Sequence, residues 1–268
     1  MRTQVQQASR AQSRASRANS TLDPRPSSIR NGIPGWKRGL DAATIILFAP
    51  ALVLVGGLVA LLIKWGSPGP VLFRQRRVGY KGQQFTCLKF RTMHVNAETH
   101  SHQGYTARLI KSAAPMTKLD ASNDPRVIPF GAMLRATGLD ELPQMLNVLR
   151  GEMSLVGPRP CIPYEYELYE PWQRRRFDAA PGLTGLWQVS GKNRTTFAQM
   201  VQLDIEYSRR SNLGLDLKII LKTVPALVVQ CLDQRAAYTR RASSASRKVR
   251  KVDCSAPGWL QLKMPNEK

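Results

Sequence analysis

Histidine, cysteine and acid are what this chain has least of. Three histidines in 268 residues argue against a histidine-rich metal centre. Two of them, in His100-Ser101-His102, read as exposed loop. The four cysteines, Cys87, Cys161, Cys231 and Cys254, are widely separated and form no C-x-x-C. That argues against a disulfide framework and a zinc ribbon, and suits a reducing compartment. Asp and Glu number 18 against 40 Lys and Arg, a net charge of +22. There is no P-loop, no G-x-G-x-x-G and no G-x-S-x-G, and no internal repeat. What is present is enough apolar residue for a core, 43%, which excludes a wholly disordered chain. The length suits one large domain or two small ones.

The positive charge is concentrated at the two ends. Residues 1–38 hold eight Lys and Arg against the single acid Asp23. Residues 234–268 hold nine against Asp253 and Glu267. Residues 1–35 are rich in Ser, Arg, Gln, Ala and Pro and read as a disordered basic tail, without the apolar core of a signal peptide. Residues 233–268 read as a second polar, basic tail. Such tails suit nucleic acid or the anionic face of a membrane, and composition does not choose between them.

One uncharged, mostly apolar run, Ala42 to Ile63, stands between Asp41 and Lys64. About 20 such residues can span a bilayer. Pro50 lies inside the run, where it removes a backbone donor and crowds the preceding turn. Basic residues flank both sides: Arg30, Lys37 and Arg38 before, Lys64, Arg74, Arg76 and Arg77 after. The positive-inside preference holds both flanks in the cytoplasm. A break at Pro50 leaves arms of eight and thirteen residues. At ~1.5 Å per residue neither arm crosses a ~30 Å core. The pattern predicts a re-entrant membrane helix over residues 36–66; its rivals are a bent span and a buried helix of a soluble protein.

Residues 67–232 read as a separate catalytic domain. Val71–Arg77 and Gln84–Phe90 are expected strands, and Pro181–Gly185 a turn leading into a short strand, Leu186–Val189. Glu141–Leu149, Tyr164–Phe177 and Phe197–Ser208 are expected helices. Leu213–Leu232 is an apolar-rich helix carrying Asp216, Lys218 and Lys222, which suits the membrane interface rather than its interior. The predicted class is α+β, mostly helical: a re-entrant helix hairpin plus a cytoplasmic domain with short strands and interfacial amphipathic helices.

The densest chemistry lies in Arg135-Ala136-Thr137-Gly138-Leu139-Asp140-Glu141-Leu142-Pro143-Gln144. Acids opening a helix are often only favourable partners of its exposed amides. Alternatively one carboxylate is a nucleophile and the other holds a metal, with Mg²⁺ neutralising substrate phosphates. In Gly157-Pro158-Arg159-Pro160 two prolines restrain one guanidinium, a shape suited to phosphate. Lys89-Phe90-Arg91-Thr92 could aim two cations at one face, or be an ordinary strand end. Gly191-Lys192-Asn193-Arg194 is a basic turn, a weaker anion signal.

Together these motifs resemble the bacterial sugar transferase family, the monotopic phosphoglycosyl transferases. The resemblance is carried in order by Lys37–Asp41, the apolar run with Pro50, Gly66–Gln75, Arg77-Val78-Gly79 and Lys89–Met93. It continues through Asp124-Pro125-Arg126, Leu139–Gln144, Asn147–Ser154, Val156–Pro160, Pro181–Gly185, Asp204 with Tyr207, and Asp216-Leu217-Lys218. It covers roughly residues 37–230 and looks like the small form of the family.

The resemblance implies that Asp140 attacks the β-phosphorus of a UDP-sugar, releases UMP and holds the phosphosugar covalently. Polyprenyl (undecaprenyl) phosphate then takes it. It implies Mg²⁺ at Glu141 beside Asp140, and phosphate or substrate contacts from Arg135, Arg159, Lys89, Arg91, Gln188, Lys192 and Asn193. It implies the cytoplasmic face of a bacterial inner membrane and a role in exopolysaccharide or glycoconjugate synthesis. The stretch Gly185–Gly191 leans toward glucose or galactose. Homo-oligomerisation is open. Three departures stand out: Ala49 for the family's serine before the membrane proline, Gly138 for the serine before Leu-Asp-Glu, and Lys192 for an arginine. A nucleic-acid binder would explain the charge but not the apolar run, and none is expected as a partner. A non-catalytic membrane-anchored interaction protein would explain the anchor but not the Asp-Glu pair.

Overall fold

The computed structural model describes residues 32–94, 104, 109–110, 126–191 and 195–232. Residues 1–31 and 233–268, the His100-Ser101-His102 loop, Asp124-Pro125, and the Lys192 and Asn193 turn lie outside the described residues. Of the expected disordered tail, residues 32–35 are described, and Ile33 is buried while Gly35 opens the first helix.

The apolar run forms one helix, α1, Gly35–Gly66, with Pro50 inside it. The division into two arms expected at Pro50 is not seen. A proline removes one backbone donor, and helical bonding resumes on either side. One stripe of α1 faces the rest of the protein: Lys37, Asp41, Ile45, Val59 and Ile63 are buried. The opposite face is apolar and open, with Leu47 74% and Val53 75% exposed. The helix is long and apolar enough to cross a membrane.

Both ends of α1 are tied to the folded domain. At the start, Arg38 donates to the carbonyls of Val148 (2.5 Å) and Leu149 (3.0 Å). Asp41 Oδ1 accepts from Ser154 Oγ (3.1 Å) and Leu155 N (3.0 Å). Lys37 is buried against Tyr207 and Asp216. At the other end, Arg91 donates to the carbonyls of Pro68 (2.7 Å) and Ser67 (2.9 Å).

The domain begins with an antiparallel hairpin, β1 (Leu72–Val78) and β2 (Gln84–Phe90), in register from Leu72↔Phe90 to Val78↔Gln84. Next comes α2, Gly131–Thr137. A single 3₁₀ turn, Leu139–Glu141, precedes α3, Gln144–Arg150. The helix expected from Glu141 thus starts later, behind Pro143, which has no N–H to lose at a helix start. Two short helices, α4 (Pro163–Leu168) and α5 (Pro171–Arg174), and a 3₁₀ turn, Arg175–Asp178, replace the single helix expected over Tyr164–Phe177. Pro171 breaks it, because the residue before a proline avoids helical geometry.

The expected turn Pro181–Gly185 contains a strand, β4 (Gly182–Thr184), parallel to β3 (Ser154–Val156). The expected strand Leu186–Val189 is a short helix, α6. The small-residue signal read as a turn has a packing cause instead. A Cβ on Gly182 would lie 2.0 Å from the Gly157 nitrogen, so only glycine lets the two segments pair. Helix α7, Phe197–Arg210, is capped by Thr196, whose side chain accepts from Gln199 N. Residues 213–232 form the last helix, α8.

The core has three parts. One gathers Ile45, Phe85, Cys87, Val148, Met153, Leu155, Tyr207 and Ile219 beneath α1. A second lies under α6 and α7, around Phe177, Trp187, Phe197 and Val201. The third joins Val59 and Ile63 of α1 to Phe90, Ile128 and Leu134.

Candidate active site

The Asp-Glu pair is built by a change of direction. Helix α2 ends at Thr137 and Gly138 takes φ +74°, left-handed backbone. Glycine enters that region without the penalty a Cβ brings, so the departure at this position suits the turn. Asp140 and Glu141 follow in the 3₁₀ turn, where Glu141 N donates to the Gly138 carbonyl at 3.0 Å.

The two carboxylates have different surroundings. Glu141 Oε1 accepts from Lys89 Nζ at 3.0 Å and from Arg159 Nη2 at 2.7 Å. Burial alone would raise its pKa; the charges of Arg159 and then Lys89 outweigh this and hold it well below the usual carboxylate range. Asp140 is half-buried and, among the described residues, accepts no side-chain hydrogen bond and caps no helix. Burial pushes its pKa up, Lys89 pulls it down, and Glu141 pushes it up again; Arg159 and Arg135 also pull it down. Glu141 is therefore a fixed, neutralised anion, while Asp140 accepts no hydrogen bond among the described residues.

The cations are held from behind. Asn147 on α3 accepts from Leu88 N (3.0 Å) and donates to the Thr86 carbonyl (2.7 Å), which fixes β2 and Lys89 against α3. Arg159 sits between Pro158 and Pro160, and its loop is bonded on several sides. Gly157 N donates to the Thr184 carbonyl at 2.8 Å, and Gly182 N to the Pro158 carbonyl at 2.9 Å. Arg176 donates to the Arg159 carbonyl and Arg77 to the Pro160 carbonyl, each at 3.1 Å. The Glu141 carboxylate raises the Arg159 pKa further. Arg77 and Asn147 lie in motifs that carry the resemblance, but neither they nor Arg176 are given a role by motif reading. The partners that make them supports are distant in the chain.

Glu141, Lys89 and Arg159 are thus brought together, with Asp140 next to Glu141 in the chain; Arg135 acts on Asp140 only through its charge. Arg91 is not part of the group. It lies past the end of β2, is 5% exposed, and both of its terminal nitrogens bond carbonyls at the end of α1. Gln188 packs on β4, donating to the Leu183 carbonyl at 3.3 Å. Pro50 is in α1, on its exposed side.

Among the described residues no three His, Cys, Asp or Glu side chains cluster as a metal cage. The adjacent carboxylates of Asp140 and Glu141 nevertheless fit Mg²⁺, which takes one or two carboxylates and completes its shell with water and phosphate oxygens. Oε2 of Glu141 accepts no hydrogen bond among the described residues, so it is the oxygen such an ion would use.

The profile of the family described as Bacterial sugar transferase matches residues 33–230, nearly all of the described structure. The chain belongs to the bacterial sugar transferase family. This transferase is 41% identical over 202 residues to the exopolysaccharide production protein ExoY of Sinorhizobium fredii, covering 75% of this chain and 88% of that protein. It is 42% identical over 220 residues to the UDP-glucose:undecaprenyl-phosphate glucose-1-phosphate transferase of Caulobacter vibrioides, 78% of this chain and 75% of that one. It is 39% identical over 160 residues to the undecaprenyl-phosphate galactose phosphotransferase of Salmonella typhimurium, 60% of this chain but 34% of that longer protein.

Proposed function

We propose that this transferase moves a sugar 1-phosphate from a UDP-sugar to polyprenyl phosphate, releasing UMP, as the first membrane step of exopolysaccharide assembly. Glucose and galactose are the sugars favoured, since relatives named for each share about two-fifths of their aligned residues with this chain. The observation that carries the reading is the unequal pair: Glu141 is neutralised by Lys89 and Arg159, while Asp140 beside it accepts no hydrogen bond among the described residues.

A carboxylate oxygen of Asp140 attacks the β-phosphorus. The bond from that phosphorus to the bridging oxygen breaks, and UMP leaves with the electron pair. The enzyme then carries the phosphosugar as an acyl phosphate. An oxygen of polyprenyl phosphate attacks the same phosphorus, giving polyprenyl diphosphate-sugar and restoring the Asp140 carboxylate. Arg159, Lys89 and Arg135 supply fixed positive charge against the phosphates in both steps. Mg²⁺ on the Asp140–Glu141 side would neutralise the diphosphate.

The topology proposed is re-entrant, at the cytoplasmic face of the inner membrane. Two ends of α1 bonded to one domain support it. A helix crossing the bilayer would leave one of those ends beyond a ~30 Å core, yet Asp41 and Ser67 both bond the same domain.

Membranes holding the protein, incubated with a panel of UDP-sugars and polyprenyl phosphate, test the reading. UMP release with UDP-glucose or UDP-galactose is expected. Failure of every UDP-sugar in the panel to release UMP would refute it.

A further inference from the structure

Helix α8 has two faces with different tasks. Its inner face buries Asp216, Ile219 and Gln230. Its outer face carries Leu213, Leu217, Leu221, Val224, Val228 and Leu232, all exposed, at helical spacing. Lys218 and Lys222 stand beside that stripe, also exposed. Helix α8 shares a buried cluster with α1, through Ile219 and Ile45, so the open apolar faces belong to neighbouring helices. One lipid surface can therefore cover α1 and α8 together, and the two lysines suit anionic headgroups.

The inner face reaches the catalytic turn. Gln230 Nε2 donates to the Ala136 carbonyl at 3.0 Å, and Cys231 Sγ lies 3.4 Å from the same oxygen. That carbonyl is one of the unpaired acceptors at the end of α2. Two residues on, Leu227 Cδ2 stands 3.7 Å from where a Cβ on Gly138 would be. The chain then turns directly into Asp140.

We infer that α8 is a lipid-seated latch: an anionic lipid surface holds its outer stripe, while Gln230 from its buried face and Leu227 from the edge between the two faces position the Gly138–Glu141 turn. Leu227 and Gln230 are positioning residues. The consequence for turnover rests on the proposed role of Asp140; the latch itself does not.

The test is hydrogen exchange on the full chain in phosphatidylglycerol–phosphatidylethanolamine vesicles, with α1 intact as the anchor. Three proteins are compared: wild type, the triple variant Leu221→Glu, Val224→Glu, Val228→Glu, and Gln230→Ala. The triple variant should exchange faster over residues 217–229 and over 137–142. Gln230→Ala should keep the slow exchange of 217–229 and speed 137–142 about fivefold, the factor for one lost neutral hydrogen bond. It should also lower kcat for UMP release and leave KM for UDP-sugar unchanged, since no substrate contact is lost. Three results would overturn the latch: unchanged exchange of 217–229 in the triple variant, unchanged exchange of 137–142 in both, or protection that grows with protein-to-lipid ratio, which marks a second copy as the occupant. The exchange pattern without any UMP release would uphold the latch and count against the nucleophile.

Discussion

Two groups of buried charge lie in this molecule, and they are built differently. Around Lys37 and Asp216 the account closes: lysine and aspartate pair directly, Tyr207 accepts from Lys37 at 2.8 Å and donates to Asp216 at 2.7 Å, and both charged side chains are at most 5% exposed. Arg176 and Asp204, 2.6 Å apart and equally buried, are a second ion pair in the interior. Around Asp140 it does not close. Lys89 and Arg159 both pair with Glu141, Asp140 beside it accepts no hydrogen bond among the described residues, and Arg159 keeps 32% of its side chain open to solvent. A closed pair fixes structure. An open cluster in which two cations share one carboxylate, with one of them part-exposed, has room for a ligand that brings negative charge, and a phosphate does so.

The largest way to break the contrast is Asp140→Asn. An amide has no anionic oxygen to attack phosphorus, so turnover should fall at least about 10³-fold. Asn serves a helix start about as well as Asp, so circular dichroism and the thermal midpoint should stay near wild type. Retained activity would reduce the pair to a helix opening.

Arg159→Ala should come next, at about 10² to 10³-fold in UMP release, the loss typical when a fixed charge donor to a reacting oxygen is removed. Arg159→Lys should recover only part of this, because a point charge cannot replace the planar fork. Steady-state kinetics of the two variants check both statements.

In the closed group the effect should be on stability. Lys37→Met strands the Asp216 carboxylate in the interior, at about 3–5 kcal/mol by the usual cost of breaking a buried pair. Denaturant midpoints in micelles should show the loss, while the folded fraction still releases UMP. The smallest effect is in pH. Glu141 is held below its ordinary 4.5, so its contribution to stability is complete above that value and fades as pH falls through the lower folded pKa. The stability gap between wild type and Glu141→Gln should therefore be flat above about pH 5.5 and narrow below 4.5.

Much of this site could be read before any coordinates. A nucleophile-like acid after a glycine turn, a guanidinium between prolines and a lysine on a strand each announce themselves locally. What the chain did not reveal was pairing at a distance. Lys89 and Arg91 look alike at strand spacing, yet one reaches Glu141 and the other locks the end of α1. Gly182 reads as a turn residue because its real reason, contact with Gly157, lies 25 positions earlier in the chain. Pro50 reads as a point of division, yet the helical assignment of α1 runs through it. In each case a tertiary contact, or the lack of one, decided what local chemistry left open.

The most direct measurement is the intact mass of the protein after mixing with UDP-glucose or UDP-galactose, Mg²⁺ and no lipid acceptor. The account predicts a phosphohexose adduct on Asp140, formed as UMP appears, discharged by polyprenyl phosphate and absent from Asp140→Asn. Efficient transfer to lipid with no adduct at any time, or an adduct that persists in Asp140→Asn, would contradict it.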